Sequence, residues 1–392
     1  MRTMNEESNI QQNPRAIIEP YLLNAKENYP EPFYLLEYNG VAFSTLGGIQ
    51  AISGQKKNGK TFVLAQLMAA VLGIGVERTE RFLPGLRVPE RTLEHLREYH
   101  HNADYLPRVL YVDTEMEKLN SAKVLRRVHW LCNWDMSEPF PNDRFNVLWL
   151  RSVNDEKDDK GNTVWRAYQK RWYLISNAIE ALEPDVVFID GVRDIIGDFN
   201  DNAQSAALVQ ELMALAEKKH ICIWNALHMN PRPGNDDESK MRGHLGTELG
   251  NKITDTLVSI KEKKNGSVTF TVKQQDARGK DLDDWRFEVT EDAGNLGIPR
   301  IISTPTAMPQ SKAEADDIED IKKWVKEAQN MYVWPMTRKD VKKRIFGEIG
   351  GQKSDGKQQA DLQAAMNIGV LKESTIKQNG YYLLIYDEDL PF

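Results

Sequence analysis

The chain has 392 residues, of which 41% are hydrophobic, so it is long enough for two or three domains with packed cores. Its formal net charge of −7 excludes a uniformly basic nucleic-acid-binding protein, and any DNA-binding surface must therefore be local. Two cysteines, Cys132 and Cys222, and seven histidines provide neither a disulfide framework nor a Cys/His zinc pattern.

Residues 1–32 are predicted to be a leader with one helical piece. This leader is polar and acidic and lacks the apolar stretch of a secretory signal. The longest apolar run, residues 62–74, is too short and too interrupted to span a bilayer. We therefore expect a cytoplasmic protein without a membrane partner. A β-hairpin is predicted next, at residues 33–43, because Asn39-Gly40 favours a type I′ turn.

A glycine-rich segment, residues 54–61, matches the phosphate-binding pattern G-x-x-x-x-G-K-[ST]. A segment predicted to be a short buried strand, 49–53, precedes it and an apolar helical run, 62–72, follows it. This arrangement aims backbone N–H groups at a phosphate chain, with Lys60 at the β- and γ-phosphates and Thr61 on Mg²⁺. The predicted nucleotide-binding residues are Gly54, Gln55, Lys56, Lys57, Asn58, Gly59, Lys60, Thr61 and Phe62. The alternative is a glycine loop that only turns the chain.

Short apolar strands alternate with helical segments after this motif. The predicted helices are 90–105, 165–182 and 203–219, and the predicted strands are 109–113, 186–190 and 221–224. Such alternation predicts a parallel sheet with crossover helices. An exposed charged loop is predicted at 155–161. Strands at 257–260 and 268–273, around Asn265-Gly266, are typical of antiparallel pairing at the sheet edge.

The end of the chain is predicted to be a separate small domain. Residues 33–303 are assigned to the main domain, 304–317 to a proline-containing linker and 318–392 to a winged-helix-like domain. Its predicted elements are helices at 318–329, 337–346 and 357–368, and a hairpin wing around Asn379-Gly380. Basic residues near Trp334 indicate phosphate contacts, and a protein-binding winged domain is the equal alternative.

Polar side chains follow three of the predicted strands, where a nucleotide-hydrolysing sheet needs them. Asp190 can hold the Mg²⁺ shell, its alternative being a turn aspartate. Glu115 can orient and deprotonate the attacking water while Asp113 holds the geometry, although an acid at a helix N-terminus is also common. His228 or Asn225 can sense the γ-phosphate, and a structural histidine is the alternative.

The order of these motifs resembles the RecA-like ATPase core over about residues 33–300. It is most similar to the plasmid RepA-type hexameric helicases and the related ATPases of phages and mobile elements. The resemblance implies that Lys60 and Thr61 bind phosphate and Mg²⁺. It further implies Glu115 as catalytic glutamate, Asp190 as the acid on the Mg²⁺ side and His228 as sensor. ATP and Mg²⁺ are the implied cofactors, and a homo-oligomeric ring, a hexamer, is the implied assembly.

The resemblance also implies a cation from the neighbouring subunit, which stabilises charge on the transferring phosphoryl group. Lys273 and Arg278 match the strand and loop that carry it, although they are spaced more widely than the basic pair of the family. Arg242 is the rival, and all three residues can instead be surface cations. Single-stranded DNA is expected at the loops 197–204 and 230–243. These loops are not net positive, so DNA binding rests on the resemblance.

The sequence thus predicts an α/β fold, with a RecA-like P-loop core, a mostly parallel central sheet and a small C-terminal winged-helix-like domain. The predicted function is an ATP-hydrolysing ring ATPase that acts on DNA, as a helicase or a replication or mobilisation ATPase of a mobile element. Replication or mobile-element proteins are expected partners. The alternative is an ATP-gated regulatory or scaffolding DNA-binding protein that does not translocate.

Overall fold

The computed structural model of the protein describes most of the chain. The described residues are 14–29, 31–137, 143–229, 241–264, 267–277, 280–302, 312–332, 336–351, 354–367, 370–373 and 382–385. Within these ranges, no helix is both long and apolar enough to cross a membrane.

The described elements follow one another in a largely alternating order. The strands are β1 (Tyr34–Tyr38), β2 (Val41–Thr45), β3 (Ile49–Gly54), β4 (Leu86–Arg87), β5 (Val109–Asp113), β6 (Phe145–Trp149), β7 (Glu156–Lys157), β8 (Thr163–Trp165), β9 (Val186–Asp190), β10 (Cys222–His228), β11 (Asp255–Lys264), β12 (Ser267–Ala277), β13 (Trp285–Thr290), β14 (Ile298–Ile302), β15 (Met336–Thr337), β16 (Leu371–Glu373) and β17 (Tyr382–Ile385). The helices are α1 (Pro14–Ile18), α2 (Lys60–Leu72), α3 (Glu77–Phe82), α4 (Glu90–Tyr99), α5 (Lys118–Leu131), α6 (Ala167–Leu182), α7 (Asn202–Lys219), α8 (Gly243–Lys252), α9 (Lys312–Met331), α10 (Arg338–Val341) and α11 (Asp355–Asn367).

The centre of the protein is a nine-stranded sheet in the order β14-β13-β12-β11-β3-β10-β9-β5-β6. Every neighbouring pair from β11 to β6 is parallel, while β12, β13 and β14 extend the sheet in antiparallel pairing. Strands β3, β5 and β9 are buried along their whole length, which explains the apolar runs of β5 and β9 before their terminal aspartates. The predicted α/β fold with a mostly parallel central sheet is confirmed.

Helices cover both faces of this sheet. Helices α2 to α5 pack on one face, in a hydrophobic cluster that includes Leu67 and Val128. Helices α6 to α8 pack on the other face, around Ile175 and Leu212. We call these the α2 face and the α7 face. Because side chains alternate along a strand, adjacent residues of β5, β9 and β10 lie on opposite faces. This alternation decides which side chains meet at the strand ends.

The predicted hairpin precedes the glycine-rich loop. Strands β1 and β2 pair antiparallel, with Asn39 and Gly40 at φ of +49° and +79°, as a type I′ turn requires. Strand β4 pairs with the other edge of β1.

Several predicted bounds differ from the structure. Helix α4 ends at Tyr99 rather than at residue 105, because the chain leaves the helix at His101, which has a φ of +50°. Strand β10 continues to His228 because it pairs with β3 as far as Gly54. The predicted charged loop, 155–161, contains β7, and β8 follows the loop and pairs with β7 in a small hairpin. Strands β13 and β14 were not predicted.

The C-terminal part has its own hydrophobic cluster, which includes Val325, Phe346 and Leu362. Its helices are α9, α10 and α11, and a π-helical segment, Lys342–Ile349, follows α10 directly. Its sheet has the order β15-β17-β16. Helix α9 begins at Lys312, inside the predicted linker. Thr337 accepts a hydrogen bond from the Asp340 backbone at 3.1 Å, as an N-cap residue does. Trp334 and Asn379-Gly380 lie outside the described residues. The domain boundaries and the winged-helix-like assignment stay predictions.

Candidate nucleotide site

The glycine-rich loop connects β3 to α2, as the sequence predicts. Gly59, the N-cap of α2, has a φ of +84°, a left-handed conformation that favours glycine. A Cβ atom on Gly59 would lie 2.6 Å from the ring of Phe270. Ser259, on β11, donates a hydrogen bond to the carbonyl of Asn58. Strands β11 and β12 therefore shape the loop together with its own sequence.

Lys60 is buried at the start of α2. Its ammonium donates to the carbonyls of Gly54 and Gln55, at 3.1 and 3.3 Å, and to His228 Nδ1 at 3.0 Å. Burial lowers the pKa of Lys60, and two nearby carboxylates oppose that effect. An ammonium at the inner end of a glycine-rich loop is suited to phosphate oxygens, which can replace the backbone carbonyls as its partners.

Asp190, at the end of β9, lies beside the loop. The hydroxyls of Thr61 and Tyr111 donate to the same oxygen, Asp190 Oδ2, at 3.3 and 2.9 Å. Burial, followed by the charges of Glu115 and Asp113, raises the pKa of Asp190 to about 6. The carboxylate is thus buried next to two like charges, a position that a bound cation would stabilise.

Thr61 and Asp190 fit Mg²⁺, which prefers hard oxygen donors and retains several water or phosphate ligands. Among the described residues, no group of three or more His, Cys, Asp or Glu side chains could hold a metal ion by itself. Mg²⁺ at this position would therefore take its remaining ligands from the nucleotide phosphates and water. This is the usual arrangement for a metal ion that accompanies a nucleotide.

Glu115 lies on the loop after β5, and Asp113 holds this loop in place. The fully buried Asp113 carboxylate accepts hydrogen bonds from the backbone N–H groups of Glu115 and Met116, both at 2.9 Å. It also accepts one from the hydroxyl of Ser121. Because these donors occupy Asp113, Glu115 supplies the carboxylate of this loop that lines the cleft.

His228 bridges Lys60 and Glu115. Its Nε2 atom lies 3.5 Å from Glu115 Oε2, opposite the Nδ1 contact with Lys60. Since an ammonium only donates, Nδ1 is the acceptor, and a neutral His228 carries its proton on Nε2. The contact with His228 lowers the pKa of Glu115 against the effect of burial. Asn225 lies on the α7 face, where its amide donates to the Gln50 carbonyl at 3.1 Å, so it does not reach the cleft.

These groups line one cleft of about 310 Å³ at the carboxyl edge of the parallel strands. The predicted residues that line it are Lys57, Asn58, Gly59, Lys60, Thr61, Phe62, Glu115, Asp190 and His228. Met116, Lys261 and Phe270 also line it and were not predicted. Lys261 and Phe270 are paired across β11 and β12, so the hairpin brings both to the loop. Their local sequence carries no signal of this. Lys56 is exposed, outside the cleft.

Two of the candidate trans-acting cations, Lys273 and Arg242, lie away from the cleft of their own chain. Phe270 lines the cleft, so alternation along β12 directs Lys273 to the opposite face of the sheet. Arg242 is exposed at the N-cap of α8. Arg278 lies outside the described residues. Lys273 and Arg242 therefore do not act on the nucleotide of their own subunit in this conformation.

Two arginines flank Phe199 in the segments that follow β9 and β10. The guanidinium of Arg193 lies 4.5 Å from the ring centroid, and that of Arg242 lies 6.0 Å away. We call these three residues the Phe199 cluster. The backbone N–H of Arg242 donates to the His228 carbonyl at 2.9 Å, and the charge of Arg193 contributes to the lowered pKa of Glu115. Sequence reasoning missed Arg193 because the predicted loop began at residue 197. The position of Arg193, three residues after Asp190, was the signal that could have identified it.

The chain is similar to known ATPases. Residues 42–230 match the family model described as the AAA domain. A solved structure of a KaiC-like protein from the hyperthermophilic archaeon Pyrococcus horikoshii is similar at 12% identity, over 66% of this chain and 91% of that chain, with a TM-score of 0.38. No curated protein matches the chain significantly. The AAA match spans the glycine-rich loop, Glu115, Asp190 and His228, and this part of the chain is a P-loop ATPase domain.

Proposed function

We propose that the protein hydrolyses ATP in this cleft as a subunit of a homo-oligomeric ring, with a hexamer as the expected size. The ring acts on DNA, as a helicase or as a replication or mobilisation ATPase of a mobile element. One observation carries the ATPase chemistry. Lys60, Glu115, Asp190 and His228 come from four separate elements and converge within one cleft. Such convergence supports hydrolysis rather than nucleotide binding alone.

Each residue has a role that its contacts support. Lys60 exchanges its carbonyl partners for the β- and γ-phosphates, and Thr61 and Asp190 hold the metal side of the nucleotide. Mg²⁺, when bound, neutralises charge that develops on the phosphates. Glu115 is ionised, since its pKa is lowered, and it orients and deprotonates the attacking water. His228 connects Glu115 to Lys60. It therefore senses whether a phosphate has replaced His228 as the partner of the Lys60 ammonium.

A neighbouring subunit completes the site in this proposal. The described residues that line the cleft include three lysines and no arginine. Phosphoryl transfer in P-loop enzymes often uses an additional cation, supplied in cis or in trans, that stabilises the charge of the transition state. Arg278 or Lys273 of the next subunit would supply it, and a ring supplies one such cation to every site.

Mixing two inactive variants tests the shared site. Glu115→Gln lacks the base and Arg278→Ala lacks the trans cation, so each should be inactive alone. A random 1:1 mixture should regain about a quarter of wild-type turnover, because one in four interfaces joins an intact Glu115 to an intact Arg278. Turnover and assembly size are measured on each mixture. Lys273→Ala is tested in the same way, and a mixture that regains nothing for either cation contradicts the shared site.

The Phe199 cluster supports DNA as the ligand of the ring. Arginines beside an aromatic ring provide both charge for the phosphate backbone and a surface for base stacking. The backbone contact between Arg242 and His228 links this surface to the nucleotide cleft. DNA held there would therefore affect Glu115 and His228, as expected of a DNA-stimulated ATPase.

ATP turnover with and without single-stranded DNA tests this role. We expect stimulation by DNA in the wild-type protein. Arg242→Gln should weaken the binding of single-stranded DNA. The slope of the logarithm of the DNA-binding constant against the logarithm of the salt concentration should fall in magnitude by about 0.7, because one phosphate contact is lost. Arg300→Gln removes an exposed arginine on β14 and serves as the matched control. Turnover that does not respond to DNA contradicts the motor and favours the second candidate.

The second candidate is an ATP-gated regulatory or scaffolding protein without translocation. The acidic residues Asp198 and Asp201 favour it, because they lie in the same segment as Phe199 and oppose the approach of a DNA backbone. A directional unwinding assay separates the two candidates, since only the motor converts hydrolysis into strand separation.

A further inference from the structure

Tyr111 contributes a buried hydroxyl to the metal side of the cleft. It lies on β5 and is fully buried, and its hydroxyl donates to Asp190 Oδ2 at 2.9 Å. The hydroxyl of Thr61, on α2, reaches the same oxygen at 3.3 Å. One carboxylate oxygen is therefore held by a donor from the loop helix and by a second donor from a neighbouring strand.

The register of the sheet produces this contact. Asp113 lies opposite Asp190 in the parallel pairing of β5 with β9, and Tyr111 lies opposite Phe188. Because side chains alternate, Tyr111 and Asp190 are diagonal neighbours on the α2 face, a distance that a tyrosine ring spans. A carboxylate oxygen accepts hydrogen bonds, so the Tyr111 hydroxyl is the donor in this contact.

We propose that Tyr111 is a positioning residue that holds the Asp190 carboxylate in the orientation needed, together with Thr61, for the Mg²⁺ of a bound Mg–nucleotide. This inference rests on the proposed function, because it requires a Mg–nucleotide in the cleft. Asp190 lies beside the like charges of Glu115 and Asp113, which favour rotation of its carboxylate away from them. A fixed donor to Oδ2 opposes that rotation. Donors that orient metal-binding groups commonly affect metal affinity by 10- to 100-fold, roughly.

Tyr111→Phe removes this donor and preserves the ring. We expect the Mg²⁺ concentration for half-maximal binding of a fluorescent, non-hydrolysable ATP analogue to rise roughly 10-fold or more. Binding of the same analogue in the presence of a chelator should not change, since Lys60 and the loop are intact. Adding Tyr111→Phe to Asp190→Asn should cause no further loss of Mg²⁺-dependent binding than Asp190→Asn alone, because both substitutions act through one carboxylate.

Tyr105→Phe is the matched control. Tyr105 is also buried, and its hydroxyl donates to Asp185 Oδ2 at 2.9 Å, a carboxylate outside the cleft. Both variants lose one buried tyrosine–aspartate hydrogen bond, so thermal unfolding compares their structural costs. An equal Mg²⁺ dependence in the two variants overturns the proposal. A wild-type protein that binds the analogue without any Mg²⁺ dependence refutes the proposed function instead, which separates the two failures.

Discussion

Glu115→Gln is expected to lower ATP turnover by about 10²- to 10⁴-fold, the usual contribution of a positioned general base. The amide keeps the size of the side chain and its place beside His228, 3.5 Å away in the unmodified chain, but it cannot accept the proton of the attacking water. Nucleotide affinity should be retained or increased, because the substitution removes a negative charge near the phosphates and near Asp190. Turnover and equilibrium nucleotide binding are measured on the same preparation.

Glu117→Gln provides the matched control for this experiment. Glu117 lies two residues further along the same loop, and its side chain is 74% exposed, so its loss should leave turnover close to wild type. Lys60→Ala is the second comparison, and it should lose nucleotide binding together with turnover because it removes the ammonium that is proposed to contact the phosphates. Full turnover in Glu115→Gln would refute the assignment of the base and, with it, the proposed mechanism.

Asp190→Asn is expected to stabilise the nucleotide-free protein by about 2 to 3 kcal/mol at pH 8, while abolishing Mg²⁺-dependent nucleotide binding. The stabilisation follows from burial of the Asp190 carboxylate beside Glu115 and Asp113, which raises its pKa from 3.8 to about 6. The amide carries no charge, and its oxygen can still accept the hydroxyls of Tyr111 and Thr61. A residue that opposes folding but serves the ligand is common at binding sites.

The pH dependence of the protein's stability follows from the raised pKa of Asp190. Between pH 3.8 and about 6 the folded protein binds more protons at Asp190 than the unfolded chain does. The contribution of Asp190 to stability is therefore fully present below pH 3.8 and is lost as the pH rises through about 6. The advantage of Asp190→Asn should accordingly be largest above pH 6 and should disappear near pH 4.

Denaturant unfolding of both proteins at a series of pH values measures this difference. Asp185→Asn is a suitable control, because Asp185 accepts hydrogen bonds from Tyr105 and the backbone of Arg108, at 2.9 and 2.7 Å. Loss of that well-bonded carboxylate should destabilise the protein at neutral pH. A lower stability of Asp190→Asn than of wild type at pH 8 would contradict the view that the buried Asp190 charge destabilises the protein when no cation is bound.

Local sequence was sufficient for the features that depend on neighbours along the chain. The glycine-rich pattern at 54–61, the strands ending at Asp113 and Asp190 and the turn at Asn39-Gly40 all agree with the structure. Short apolar runs bounded by polar residues predict buried parallel strands, and parallel strands bring their carboxyl ends to one edge. That reasoning also predicted that Glu115, Asp190 and His228 would lie close to the loop, which they do.

The sequence by itself therefore determined the P-loop ATPase domain, the α/β class and the main polar groups of the cleft, because periodicity and turn chemistry are local. The tertiary structure alone decided which side chains meet. It excluded Asn225 by the alternation of β10, and it brought Phe270 and Lys261 to a loop about 200 residues earlier in the chain. It also joined Tyr111 to Asp190 through the pairing of β5 with β9. Register and strand order are set by packing across the whole sheet, which no short stretch of sequence contains.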